Sequence, residues 1–124
     1  MNYLPLGIIT IENFWNEDLK LFRLIHSSDD IGVPSTKEFY NLKARQVLPN
    51  VEHFVFTTHD QFQWGVRIIT ANDEIWYSIG LFHCQISQRD NWQVTIGVNG
   101  DSKTMYVAPK SSLLQNLQVH ALDS

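Results

Sequence analysis

The sequence contains very little of what usually cross-links or metallates a small protein. It has one cysteine, Cys84, which excludes an intramolecular disulfide and any zinc site built from several cysteines. Because Cys84 falls in the middle of a predicted strand, we interpret it as a small buried apolar side chain and not as a nucleophile. A reducing compartment fits this cysteine usage.

Basic residues and long apolar runs are also scarce. Nine Lys and Arg stand against 13 Asp and Glu, which gives a formal net charge of -4. The absence of a run of basic residues argues against a surface that binds nucleic acid. No stretch approaches the length of a membrane span, and the apolar residues 4–11 lack the cationic start of a signal peptide. We therefore predict a cytoplasmic protein that binds neither nucleic acid nor membrane.

Catalytic and metal signatures are missing as well. His83 and Cys84 are adjacent, so in a strand they point to opposite faces and cannot form a dyad. His53 and His83 could meet on neighbouring strands with Glu52 or Asp60 as an oxygen ligand, but single histidines on strands are usually structural or surface residues. We predict no metal, no cofactor and no catalytic residue.

The composition is that of one folded domain spanning residues 1–124. Hydrophobic residues make up 44% of the chain and aromatic residues 12%, including four Trp. A chain of this size and composition can bury an independent core. The surplus of Trp predicts either buried aromatic packing or exposed anchors at a binding surface.

Residues 61–70 form the clearest predicted strand. Trp64, Val66 and Ile68 alternate with small or polar residues, and successive strand side chains point to opposite faces, so we expect these three in the core. Comparable patterns predict strands at residues 7–14, 51–58, 74–87, 92–98 and 104–108. Asn99 and Gly100 predict a hairpin turn, because both residues accept positive φ.

Short connections between these strands predict an antiparallel meander of about five to six strands. Gly65, Gly80 and Gly97 lie inside three neighbouring predicted strands, where an interior glycine often marks a bend or a close backbone approach. We therefore expect a strongly curved sheet with a concave face.

Helices are predicted on both sides of this sheet. Residues 17–26 have two interpretations, a helix capped by Asn16 or a strand over residues 19–25, and we favour the helix. Ser35 and Glu38 fit a capping box, which predicts a helix that ends at Pro49.

At the C-terminal end, Ser111 or Ser112 can cap a short helix. Leu113, Leu114 and Leu117, with Ala121, recur there at helical spacing. The predicted fold class is therefore α+β: a curved antiparallel meander with one or two helices from the N-terminal third and a short C-terminal helix packed on it.

Two groups of residues are candidate binding residues. The first gathers aromatic and polar side chains of neighbouring strands, as small-molecule pockets do; it contains Trp64, Arg67, Tyr77 and His83, with Asp73 and Glu74 at a strand end. An aromatic core with Arg67 on the solvent face is the competing interpretation, and we favour it. The second group is the set of acids in predicted turns, Asp60, Asp73, Glu74, Asp90 and Asp101, which can steer a basic partner.

The resulting functional hypothesis is a small acidic, non-enzymatic protein-binding module, such as an inhibitor of the immunity or antitoxin type that blocks a basic partner protein. The alternative is a small-molecule-binding or hydratase/isomerase-like domain that uses the concave face of the sheet. A structural subunit that forms a homodimer through an edge strand is the third hypothesis. Fold class alone does not decide among them.

Overall fold

The computed structural model of the protein describes residues 6–28, 34–55 and 62–122. Within these ranges the chain is nearly all sheet, and its one helical segment is a short 3-10 turn at Gln88–Asp90. The ten strands are β1 (Leu6–Phe14), β2 (Leu19–Ser28), β3 (Ser35–Leu42), β4 (Val47–Val55), β5 (Phe62–Thr70), β6 (Ile75–Ser78), β7 (Phe82–His83), β8 (Gln93–Asn99), β9 (Thr104–Pro109) and β10 (Gln115–Ala121).

Nine of these strands form one hydrogen-bonded path in the order β3-β2-β5-β6-β10-β9-β8-β1-β4, and the short β7 pairs with β5. The path curls into a half-barrel, which brings β5 near β9. We call β4, β1, β8 and β9 the β1 half of the sheet, and β3, β2, β5 and β6 the β2 half. Strand β10 joins the halves, because it pairs with β9 on one side and with β6 on the other.

The inner face of the half-barrel holds the hydrophobic core. The predicted core residues Trp64, Val66 and Ile68 are confirmed, with exposed fractions of 0%, 1% and 0%. From the β1 half, Ile11 and Ile96 pack into the same buried cluster. The concave face is therefore filled by side chains of both halves.

Asn13 connects the two halves where β1 passes into β2. Its side chain is fully buried, and Nδ2 donates hydrogen bonds to the carbonyl oxygens of Leu42 at 3.1 Å, Lys43 at 3.0 Å and Glu17 at 3.0 Å. Its Oδ1 accepts a hydrogen bond from Trp15 N at 2.9 Å. Leu42 and Lys43 lie at the end of β3, so one amide ties the β1–β2 connection to the β3–β4 turn.

An aromatic contact holds the halves together near the β8–β9 hairpin. Trp15 and Trp76 have ring centroids 5.3 Å apart, and Lys103 Nζ lies 4.7 Å from the Trp15 centroid and 5.3 Å from the Trp76 centroid. An ammonium group over two indole faces is attracted by both ring quadrupoles. The Trp surplus therefore includes a structural contact between the halves.

The β8–β9 hairpin is confirmed, but the reason for its glycine differs from the predicted one. Among the described residues of this turn, positive φ occurs at Lys103 and not at Gly100. A β-carbon at Gly100 would lie 1.9 Å from the Trp15 carbonyl oxygen, and Gly100 N donates to Phe14 O at 3.0 Å. Glycine is needed here because the backbone of the β1–β2 turn approaches so closely.

The predicted α+β fold class is wrong, because every described segment predicted as a helix is a strand or an irregular loop. Residues 19–28 form β2, the strand alternative for this segment, with Phe22 and Leu24 buried on the inner face. Asn16, with φ 76°, turns the chain back instead of capping a helix.

The predicted capping-box helix is instead the edge strand β3. Ser35 Oγ donates to the His26 carbonyl at 3.3 Å, and Glu38 pairs with Arg23 across the β2–β3 ladder. Ladder hydrogen bonds and cross-strand contacts on β2, such as Phe39 on Phe22, outweigh the local helical signal.

The predicted C-terminal helix is replaced by an exposed loop and by β10. Leu117 and Val119 face inward with a period of two, whereas Leu113 and Leu114 lie in the loop before the strand. The helical spacing therefore grouped two exposed loop residues, Leu113 and Leu114, with the inward-facing strand residue Leu117.

Three details of the predicted sheet also change. The segment 74–87 is not one strand, because Gly80 with φ 72° interrupts it between β6 and β7. The sheet is not an all-antiparallel meander either, since β1 pairs with β8 in parallel. The predicted strand at 51–58 begins earlier, at Val47, and its end lies outside the described residues.

Candidate binding site at the β9–β10 loop

A buried carboxylate organises the loop between β9 and β10. Asp90 is 1% exposed, and its Oδ1 accepts hydrogen bonds from Ser111 N at 2.9 Å and Ser112 Oγ at 2.7 Å. Its Oδ2 accepts from Ser87 N at 3.0 Å and Ser87 Oγ at 3.2 Å. Burial alone would raise the pKa of Asp90, but these hydrogen bonds, led by that from Ser112, lower the pKa below its usual value. The ionised carboxylate therefore joins the loop to the 3-10 turn.

The loop fixed in this way exposes two leucines. Leu113 is 86% exposed and Leu114 is 53% exposed. Isolated exposed apolar residues are common, but two adjacent leucines on a loop held by a buried carboxylate form an apolar projection. We call Leu113 and Leu114 the leucine tip.

One side of the leucine tip borders a groove on the outer face of the β1 half. This groove has a volume of about 470 Å³, and we call it the Glu12 groove. Leu114 and Phe14 provide apolar surface, while hydroxyls and amides of β8, β9 and β10 provide polar surface. A groove of this mixed composition suits a side chain or small group that combines an apolar body with a polar end.

The floor of the Glu12 groove is a row of residues in register across three strands. Glu12 on β1 lies opposite Gly97 on β8, which lies opposite Tyr106 on β9. A β-carbon at Gly97 would lie 2.2 Å from the Tyr106 hydroxyl oxygen, so the tyrosine crosses β8 where no side chain exists. Its hydroxyl donates a hydrogen bond to Glu12 Oε1 at 2.7 Å. Burial raises the pKa of Tyr106, and the Glu12 carboxylate raises it further, so this hydroxyl stays a donor.

A second cavity, of about 730 Å³, lies on the other side of the leucine tip. It is lined by residues from β7, the 3-10 turn and the β9–β10 loop, including His83, Arg89 and Leu113. Cys84 also lines it, but the residue is only 3% exposed. Burial raises the pKa of the Cys84 thiol to about 11, and Asp90 adds to this effect. The predicted burial of Cys84 is confirmed, and its thiol is protonated at neutral pH.

The residues of the predicted aromatic and polar group are distributed over three places. Trp64 lies in the core, where its Nε1 donates to the Cys84 carbonyl at 2.9 Å. Arg67 and Tyr77 lie opposite each other on the outer face of the β2 half. His83 is exposed at the rim of the second cavity. They do not form one pocket.

Among the predicted turn acids, Asp73, Glu74 and Asp101 are exposed. Asp73 forms an ion pair with Lys20 Nζ at 2.5 Å, and Asp101 accepts a hydrogen bond from Asn16 Nδ2 at 2.8 Å. Asp90 differs, because the expectation that it is solvated at a strand end is wrong. The prediction for Asp60 lies outside the described residues.

The residues of the leucine tip and of the Glu12 groove are not among the binding residues that the sequence patterns predict. The leucines were assigned to a helix face, although they follow Pro109 and two serines, a sequence typical of a loop. Glu12 is the charged residue within the apolar run of β1, and Tyr106 alternates with Met105 and Val107. The sequence therefore indicated that both side chains lie on the outer face of the sheet.

The comparisons with known proteins add no family. No protein-family model matches the chain, and no curated protein matches it in sequence. Among the described side chains, no group of three or more His, Cys, Asp or Glu residues has an arrangement that could hold a metal ion. No helix in the described ranges is long and apolar enough to cross a membrane.

Proposed function

We propose that this chain is a non-enzymatic protein-binding module and that its partner docks on the leucine tip and the adjoining Glu12 groove. The observation that carries this proposal is the pair of exposed leucines, 86% and 53% exposed, on a loop fixed by a buried carboxylate. An inhibitor of the immunity or antitoxin type would act through such a preformed surface.

Preorganisation supports the leucine tip as the anchor. Burying a leucine side chain contributes about 1.5–3 kcal/mol, so two of them can supply a substantial part of a binding free energy. Ordering a mobile loop would offset part of this gain. The hydrogen bonds to Asp90 hold the loop before binding, so this cost is reduced.

The Glu12 groove supports a basic partner. Glu12 Oε1 accepts the Tyr106 hydrogen bond, and Oε2 has no hydrogen-bond partner among the described residues. A lysine or arginine side chain of the partner can cover Phe14 with its apolar stem and place its charge at Oε2. Asp101 belongs to the same β8–β9 loop as Ser102, which lines the groove. Glu12 is thus the carboxylate within the groove, and Asp101 adds an exposed negative charge on the loop next to it.

The exposed acids Asp73 and Glu74 lie in the β5–β6 turn, next to the C-terminal end of β10, where Leu122 N donates to Ile75 O, whereas the leucine tip precedes the other end of that strand. Together with the net charge of -4, they would contribute to long-range attraction of a basic protein. The proposed compartment is the cytoplasm, because a single buried thiol fits a reducing environment.

The test uses the tagged chain as bait in its native host, followed by binding kinetics with the captured protein. The variant Leu113→Ser with Leu114→Ser should weaken binding by about 100-fold or more, chiefly through faster dissociation. Its melting temperature should stay close to that of the wild type, because both side chains are exposed. Ile79→Ser with Leu122→Ser is the matched control, since Ile79 and Leu122 are 66% and 48% exposed outside the tip.

The charge component is tested separately. Glu12→Gln keeps an acceptor for Tyr106 and removes the charge, and Asp73→Asn with Glu74→Gln and Asp101→Asn removes the turn acids. Both changes should slow association at low salt more than at high salt. A captured protein that binds the leucine-tip variant as tightly as the wild type would refute the proposed surface. Association rates that are unchanged in all acidic variants would refute the basic partner.

A homodimer through an edge strand remains a separate prediction. Strand β3 ends the described path of the sheet and is exposed along most of its length. Lys37 and Glu38 place charges on this edge, a feature that opposes open-ended pairing. Light scattering across a range of concentrations measures the stoichiometry directly.

A further inference from the structure

The outer face of the β2 half carries a row of polar residues in register across five strands. Glu38 on β3 lies opposite Arg23 on β2, and Arg23 lies opposite Arg67 on β5. Arg67 lies opposite Tyr77 on β6, and Tyr77 lies opposite His120 on β10. We call these five residues the arginine row. It lies on the other half of the sheet from the Glu12 groove.

The charges in the arginine row are not balanced. Glu38 is the row's carboxylate, and it is already engaged by Arg23, with Nη2 at 3.1 Å and Nε at 3.2 Å from Oε1. Tyr40 donates a hydrogen bond to the other oxygen of Glu38. Arg67 has no ion pair or side-chain hydrogen bond with any described residue. The row therefore contains two guanidinium groups and one carboxylate, which Arg23 alone engages.

The position of Arg67 makes this imbalance informative. Directly opposite residues of an antiparallel pair have Cα atoms about 4.5–5.5 Å apart, and like charges there destabilise the sheet. An opposite charge directly across the ladder would stabilise the sheet, whereas Arg67 faces Arg23 on one side and the neutral Tyr77 on the other. An anion between the two arginines would convert repulsion into attraction.

Apolar side chains border the row above and below. A β-carbon at Gly65, two residues before Arg67, would lie 2.6 Å from Leu81 Cδ2, so Leu81 covers that part of β5. On the other side Ile69 is half-buried and Leu21 is 7% exposed. Such surroundings reduce the water around the guanidinium groups and strengthen their hydrogen bonds to a bound anion.

The geometry points to the arginine row as a binding site for one oxyanion group, the carboxylate, phosphate or sulfate of a ligand, held between Arg67 and Arg23. The planar guanidinium of Arg67 offers two parallel N–H donors to such a group. The Tyr77 hydroxyl, which has no hydrogen-bond partner among the described residues, is the third donor. His120 is exposed at the end of the row.

The test titrates the wild-type chain with inorganic phosphate, sulfate or acetate against chloride at equal ionic strength. Side-chain Nε–Hε signals in NMR spectra report the binding of each anion to individual arginines. We expect the Arg67 signal to shift saturably with at least one oxyanion and not with chloride. Saturation by phosphate and sulfate alone assigns a tetrahedral group, and saturation by acetate alone assigns a carboxylate. The absence of a saturable shift with all three would overturn the proposal.

Thermal unfolding of variants provides an independent readout. Oxyanions also stabilise proteins non-specifically, so the informative quantity is the stabilisation by oxyanion over chloride in each variant. Arg67→Gln should lose the stabilisation by oxyanion over chloride. In chloride, this variant should melt at or above the wild-type temperature, because the like-charge contact between Arg67 and Arg23 is gone. Arg67→Lys keeps the charge without the planar fork and should bind about tenfold more weakly.

Arg45→Gln is the matched control, because it removes one exposed arginine from the β3–β4 turn, outside the row. It should retain the full oxyanion response. Equal oxyanion responses in Arg67→Gln and Arg45→Gln would show that Arg67 binds no anion. A lower melting temperature of Arg67→Gln in chloride would show that Arg67 stabilises the sheet instead, and would also overturn the proposal.

Discussion

Replacement of Asn13 by alanine tests whether one buried amide holds the two halves of the half-barrel together. The change removes the donor that serves Leu42 O, Lys43 O and Glu17 O, and the acceptor that serves Trp15 N. The bonds to Leu42 and from Trp15 are buried, and the other two are partly buried. A hydrogen bond contributes about 0.5–1.5 kcal/mol net, and a buried group left unpaired costs about 1–3 kcal/mol. We therefore expect Asn13→Ala to lower the free energy of unfolding by about 2–4 kcal/mol.

Asn13→Asp is a stronger test, because its size is almost unchanged. It replaces the amide donor with an acceptor that faces three carbonyl oxygens at a fully buried position. Trp15 N would still donate to this carboxylate, but a buried charge that faces three carbonyl oxygens is costly, so Asn13→Asp should be less stable than Asn13→Ala at neutral pH. Protonation at low pH restores a donor and should narrow this difference.

Urea denaturation followed by Trp fluorescence measures both variants. The midpoint should fall while the slope stays unchanged, since the surface exposed on unfolding is the same. Asn72→Ala is the matched control, because Asn72 is an exposed asparagine whose amide donates a long hydrogen bond of 3.4 Å to Glu17. A midpoint for Asn13→Ala close to that of Asn72→Ala would refute the role assigned to Asn13.

Two further predictions concern the core. Trp64→Ala should lower the free energy of unfolding by about 3–5 kcal/mol, because Trp64 is fully buried and its Nε1 bonds the Cys84 carbonyl; an unchanged denaturant midpoint would contradict this. Cys84 should react with a thiol reagent at neutral pH only as fast as the protein opens, because burial raises its thiol pKa to about 11; rapid labelling of the native protein would contradict this.

The strands with one buried face could be predicted from the sequence. In β5 the alternation of Trp64, Val66 and Ile68 with Gly65 and Arg67 gives a period of two over nine residues. The partners of β5 could not be predicted from this alternation, because the predicted meander places β4 beside β5, whereas β5 pairs with β2 and β6. The β8–β9 hairpin was predicted from the positive φ that Asn99 and Gly100 accept, but the close approach of Gly100 to Trp15 is what requires the glycine.

The edge strand and the C-terminal strand could not be predicted in this way. Strand β3 is mostly exposed, so its sequence does not alternate between buried and exposed residues. Ser35 and Glu38 in addition match the capping box of a helix. In β10 only Leu117 and Val119 face inward, while the nearby leucines complete a helical pattern by chance. Where few residues are buried, the partner strands decide the conformation, and a local pattern does not contain that information.

The candidate site was missed because it depends on pairings between strands that are distant in the sequence. Glu12 and Tyr106 are 94 residues apart, and they meet because β1 pairs in parallel with β8 while Gly97 leaves room for the ring. Asp90 was a candidate binding residue because of its charge, but its carboxylate is buried. Its hydrogen-bond partners, Ser87, Ser111 and Ser112, lie on two different loops.

The last prediction uses the titration of Asp90 to test how the leucine tip is held. The pKa of Asp90 is lowered on folding, so its contribution to stability is fully present above the unfolded pKa of about 4 and is lost as the pH falls through the folded value. Asn at this position cannot ionise, and its amide group places N–H donors where the carboxylate accepts hydrogen bonds. Asp90→Asn should therefore be less stable than the wild type by about 1–3 kcal/mol at pH 7. The gap should shrink as the pH falls below about 4 and through the lowered folded pKa of Asp90, because the protonated carboxyl group and the amide are both uncharged. Urea midpoints of the two proteins across this pH range measure the gap, and Asp73→Asn, which removes an exposed carboxylate, is the control. If the gap for Asp90→Asn is the same at every pH, the ionised carboxylate is not what holds the loop.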